Sequence, residues 1–79
     1  MPAAATSFID RHRGPFRLCL TRPHPRKKDR VTTEWLRGVT SSEDVESEAR
    51  ALLQDPRDTI TSVSVWSVRE EQFVGGYRR

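Results

Sequence analysis

What this chain of 79 residues lacks narrows its reading first. A single cysteine, Cys19, excludes an internal disulfide and leaves too few thiolates for a cysteine-type zinc site. A reducing, cytoplasmic setting is therefore expected. Two histidines do not make up the deficit, so neither a metal nor any other cofactor is expected. No apolar run approaches the length of a membrane span, and no membrane association is predicted. The opening MPAAATSFIDRHRG shows no basic segment leading into an apolar one, as a secretion signal would. Asparagine is absent, and two lysines stand against twelve arginines. That bias suggests a GC-rich genome and carries no chemistry. At this length one small domain is expected, with a modest buried fraction of its surface.

The charge that is present is unevenly spread. Residues 1–30 hold eight Arg and Lys against two acids; residues 31–60 hold three Arg against seven acids. The net +3 thus hides a basic N-terminal third joined to an acidic middle, an asymmetry that speaks to partners more than to fold.

Residues 39–56, VTSSEDVESEARALLQDP, carry the one full helix signal. Thr40 with Glu43 has the spacing of a capping box, and Ser41 with Asp44 repeats it one residue later. Glu43, Asp44 and Glu46 place negative charge where the helix dipole favours it. Val45, Ala49, Leu52 and Leu53 recur on one stripe. Pro56 disfavours helical geometry at Asp55, so the helix is predicted to end near Gln54.

Strands flank it. Phe16, Leu18 and Leu20 alternate with Arg17, Cys19 and Thr21, a period-two pattern with one apolar face. Residues 22–30, RPHPRKKDR, exclude a central strand by their prolines and charge. A second strand is predicted over 31–37, with Gly38 turning the chain toward the helix. Residues 59–68 are rich in β-branched and aromatic types; Val63 and Val65 share one face, Ile60, Trp66 and Val68 the other. A last strand is expected over 72–77, with Phe73 and Tyr77 on a common face. The order ββαββ and the right-handed crossover rule give an α+β fold. Its four-stranded antiparallel sheet has order 2-1-3-4, covered on one face by the helix. The predicted core is Phe16, Leu18, Leu20, Leu36, Val45, Ala49, Leu52, Leu53, Val63, Val65 and Phe73. Residues 1–14 are expected to form a flexible arm and 15–79 the domain.

No residue set points to catalysis. Cys19, His24 and Asp29 are the only nucleophile, base and orienter to be drawn together, and one helix on one sheet offers little room for a pocket. The chain is read as non-enzymatic, with no small-molecule substrate. Its basic segment, Arg11, Arg13, Arg22, Arg26, Lys27, Lys28 and Arg30, has the composition to follow a phosphate backbone, although a charge run is more often a solvated loop. The FVGGY stretch does not match the aromatic motif of RNA-binding sheets. The favoured function is protein binding, of an interaction, regulatory or inhibitor type. The partner would be another protein or, through self-association, a second copy. Trp35, Trp66 and Val68 are the candidates on the sheet face that the helix leaves bare. Nucleic-acid backbone binding through residues 11–30 is the alternative.

The passage WLRGVTSSEDVESEARALL resembles the strand-to-helix passage of small antitoxins of the HicB type. It covers residues 35–53 only, in a pattern shared by many strand-to-helix joins, and no function is carried over.

Overall fold

The computed structural model describes residues 8–79. Phe16–Pro23 (β1), Val31–Trp35 (β2), Val45–Gln54 (α1), Ser62–Ser67 (β3) and Gln72–Arg78 (β4) follow in ββαββ order. They form one sheet, β2-β1-β3-β4, antiparallel at every junction. The fold is α+β, as the alternation and the crossover rule required.

Period two explains which side chains enter the core. Phe16, Leu18 and Leu20 of β1 and Val63 and Val65 of β3 point to one face, where Val45, Ala49 and Leu53 of α1 meet them; all eight are buried. Each large aliphatic or aromatic group contributes roughly 1.5–3 kcal/mol by leaving water, an upper bound because unfolded chains already bury part of it. Leu36 and Leu52 are only half-buried, at the margin of this cluster.

The helix begins later than its capping signals suggest. Thr40 forms an isolated β-bridge with Phe16: its amide donates to the Phe16 carbonyl at 2.7 Å, and the Phe16 amide donates back at 2.9 Å. Ser41 and Asp44 bond to each other, hydroxyl to carboxylate at 3.0 Å, and close a turn instead of capping amides. Asp44 occupies the N-cap without a side-chain cap bond. Pairing with β1 has taken Thr40 from the expected box. Gly38 makes the reversal after β2 with φ at 78°, a conformation that costs glycine little. At the far end the helix does stop at Gln54. Its last turn holds no cation, and Arg79 supplies one, donating to the carbonyls of Leu53 at 2.7 Å and Asp55 at 3.0 Å.

Two aromatic and aliphatic placements differ from expectation. Phe73 is 52% exposed and lies on the face away from α1. Trp66 pairs with Phe73 but Val65 pairs with Gly75, so β4 carries one extra residue at this point. Such a bulge inverts the alternation beyond it, which sends Phe73 to one face and Tyr77, opposite Val63, to the other. Ile60 precedes β3 instead of lying in it, and is fully buried.

The described part of the expected arm is packed. Phe8–Arg11 forms a short 3-10 turn with Ile9 buried, and the Phe8 ring lies over Gly75, with its centroid 5.4 Å from that of Tyr77. Ser67, fully buried, ties this segment down. Its hydroxyl donates to the Arg13 carbonyl at 2.8 Å and accepts from the Glu70 amide at 3.1 Å. The expectation of an arm over residues 1–7 falls outside the described residues.

Candidate binding surfaces

The face opposite α1 is built from the outward positions of four strands. Alternation gives it Arg17, Cys19 and Thr21 from β1, Thr33 and Trp35 from β2, and Ser64 and Trp66 from β3. The bulge adds Phe73. None of these positions carries a carboxylate.

Three aromatic rings draw together here across the sheet. Trp35 stacks on Phe73 with centroids 5.7 Å apart and planes at 15°, and Trp66 sets its edge to both, at 6.1 Å and 4.9 Å. The Arg17 guanidinium lies 4.9 Å from the centroid of the Trp35 ring. Ring pairs of this geometry are worth about 0.5–1.5 kcal/mol each beyond their burial, so the cluster is in part its own support. It is also open to solvent: Trp35 is 40% and Phe73 52% exposed. Of the residues singled out from sequence, Trp35 and Trp66 thus meet, while Val68 stands in the turn after β3 and makes none of these ring contacts. Arg17 and Phe73 complete the cluster. Arg17 was legible from the alternation of β1; Phe73 was hidden by the bulge.

The basic residues do not form one track. Arg22 lies in β1 and is engaged: its guanidinium grips both oxygens of Asp58, at 2.8 and 3.0 Å, and one of Glu34 at 2.6 Å. This hydrogen-bonded pairing, aided by the Thr59 amide, holds the Asp58 carboxyl at about 2, below its ordinary 3.8, and raises the pKa of Arg22. Arg26, Lys27, Lys28 and Arg30 are exposed in the β1–β2 loop and make no ion pair with a described residue. The loop has a definite shape, because Nδ1 of His24 accepts from the amides of Arg26 and Lys27 at 3.0 and 3.1 Å. Arg13 stands at the opposite end of the sheet, beside the β3–β4 turn, and Arg11 closes the 3-10 turn two residues before it. There Glu70 receives the His12 ring at 3.0 Å and the Arg13 amide at 3.1 Å, and both bonds lower its carboxyl pKa. The length of β1, eight residues or about 25 Å at strand rise, separates the two groups.

Cys19 is buried in β1 and His24 spends Nδ1 on the loop backbone. A concavity of about 390 Å³ runs along β3 and β4 past Ser64, Gly76 and Arg78, and no carboxylate, imidazole or thiol of a described residue lines it. Among the described residues no cluster of His, Cys, Asp or Glu is placed to hold a metal ion, and no helix is long and apolar enough to cross a membrane. The chain matches no family model, no curated protein and no solved structure.

Proposed function

We propose that this chain is a non-enzymatic protein-binding module, whose partner docks on the sheet face opposite the helix. The observation that carries the reading is the cluster of the exposed Trp35 and Phe73 with the half-buried Trp66, and Arg17 beside it. Tryptophan and arginine are the types that dominate binding energy where partners meet, and a fold needing only its own stability gains most by covering such rings. The partially self-stacked rings are preorganised, which lowers the entropy cost of docking. The lone, buried Cys19 supports a reducing, cytoplasmic setting.

Nucleic-acid backbone binding remains the competing reading, supported by the four cations of residues 26–30, which pair with no described acid. Two measurements decide. Capture from the source organism is compared between the wild type, Trp66→Ala and Phe73→Ala, with oligomeric state followed by sedimentation. Loss of one defined protein partner, or of a dimer, in both variants supports the proposal; unchanged capture and oligomeric state refute it. Salt-sensitive binding to mixed-sequence oligonucleotides, abolished by reversing the loop charges, would favour the competitor.

A further inference from the structure

β2 presents a second surface that the sheet face does not account for. Among the described residues it bonds to β1 on one side only. The Leu36 amide donates to the Leu18 carbonyl and the His24 amide to the Arg30 carbonyl. With Leu20 opposite Glu34 and Arg22 opposite Thr32, these bonds fix the antiparallel alternation. Thr32 and Glu34 turn their backbone groups toward β1, while Val31, Thr33 and Trp35 turn theirs outward along the edge.

Native sheets blunt such an edge with proline, an inserted lysine, a bulge or a covering segment. Among the described residues β2 shows none of them, and its one charge, Glu34, is bound by Arg22. Its sequence VTTEW has no proline and no cation, its register with β1 is unbroken, and all five residues are exposed. Five residues is an ordinary strand length. β4, at the other edge, does carry a bulge.

The surroundings of β2 give this open edge a charge preference. Arg26, Lys27, Lys28 and Arg30 precede it and Arg37 follows, against Asp29. Glu34, the one acid within the strand, is bound by Arg22. We infer that the β2 edge accepts an extended acidic segment of a partner protein as a fifth strand. Main-chain bonds to Val31, Thr33 and Trp35 supply the affinity, and the flanking cations select acidic side chains. A second copy fits poorly: antiparallel pairing of β2 with itself sets residues 26–30 of one copy, four cations and one acid, beside Arg37 of the other, so that Asp29 offsets only part of the repulsion. The inference rests on the protein-binding reading but uses a different surface from the aromatic face.

The test uses the full chain and two labelled peptides, one alternating valine with glutamate and one alternating valine with lysine. The glutamate peptide is expected to bind, more weakly as salt is raised, and to slow amide exchange at Val31, Thr33 and Trp35. Thr33→Pro removes an outward N–H and no bond to β1; it should weaken binding about tenfold, whereas Gln54→Ala, at the exposed end of α1, leaves it unchanged. Equal binding of the lysine peptide, unaltered exchange at the three amides, or full affinity in Thr33→Pro overturns the inference. So does a dimer that Thr33→Pro abolishes, or protection of the same amides by a mixed-sequence oligonucleotide. Should Thr33→Pro fail to fold, the paired variant Arg30→Glu with Arg37→Glu replaces it, and undiminished binding of the glutamate peptide overturns the inference. The two readings fail separately: capture insensitive to Trp66→Ala and Phe73→Ala but lost in Thr33→Pro leaves the edge and removes the face.

Discussion

Gly75→Ala should change the sign of its effect according to what stands at position 8. A Cβ at residue 75 would lie 2.7 Å from two ring carbons of Phe8 and 2.8 Å from a third, against the 3.5–4.0 Å or so that carbon contacts prefer. The ring is packed against Tyr77, so relief requires Phe8 to leave its place or β4 to shift. Overpacking of this kind costs about 1–3 kcal/mol, in a domain whose whole stability is about 4–12 kcal/mol at this length. The melting temperature would fall by about 4–8 °C for each kcal/mol. Phe8→Ala removes the obstruction. Gly75 does not occupy the positive-φ region that only Gly38 among the glycines adopts. Alanine there then acts mainly by restricting the unfolded chain, stabilising by about 0.4–1 kcal/mol. Urea unfolding of the wild type, both single variants and the double, followed by tryptophan fluorescence, closes the cycle. The expected coupling is about 2 kcal/mol. If Gly75→Ala has the same sign and size in both backgrounds, the ring is not seated on β4, and the docking of residues 8–11 is wrong.

Ser67→Ala removes the hydroxyl that joins the Arg13 carbonyl to the Glu70 amide, and should cost about 1–3 kcal/mol in the same urea assay because both groups lose a partner. Ile9→Ala is expected to destabilise by about 2 kcal/mol, the low end for a core aliphatic, since a terminal turn relaxes easily; a change within about 0.5 kcal/mol would mark it as a surface residue. Acid should act through Asp58. Its carboxyl titrates at about 2 when folded and at 3.8 when free, so the unfolded chain takes up the proton first. The stabilisation is complete above 3.8 and disappears as pH falls through about 2. Glu70, also lowered, contributes in the same direction. Urea midpoints measured across that window should decline less steeply in Asp58→Asn than in the wild type.

Much of this architecture was legible because it depends on local alternation and on chain connectivity. The helix-facing set of β1, the stop at Pro56 and the strand order follow from period two, proline geometry and crossover handedness. What escaped was decided between distant segments. Thr40 has both a capping hydroxyl and a backbone able to pair, and Phe16, twenty-four positions away, settled the matter. Strict alternation puts Phe73 in the core, and one extra residue opposite β3 inverts that alternation. Ile9 has no periodic neighbours to announce it, and it is buried by the packing of its 3-10 turn against β4 and the core. For the candidate surfaces, the tryptophans stood out by type, but their meeting with Phe73 depends on that same inversion. The basic residues look continuous along the chain until β1 separates them in space.

The place of β1 between β2 and β3 has a kinetic consequence. β1 with β2, and β3 with β4, are pairings between chain neighbours, whereas the seam joining the two hairpins sets Phe16 against Ser67. Most of the loop-closure entropy therefore falls on one event, the meeting of the hairpins across the chain that contains α1. Leu18 and Val65 face each other in that seam, and truncating either should chiefly slow folding. Loosening Phe8 from Gly75, at the outer strand, should chiefly hasten unfolding. The two halves of the sheet are thus expected to assemble first and to join last.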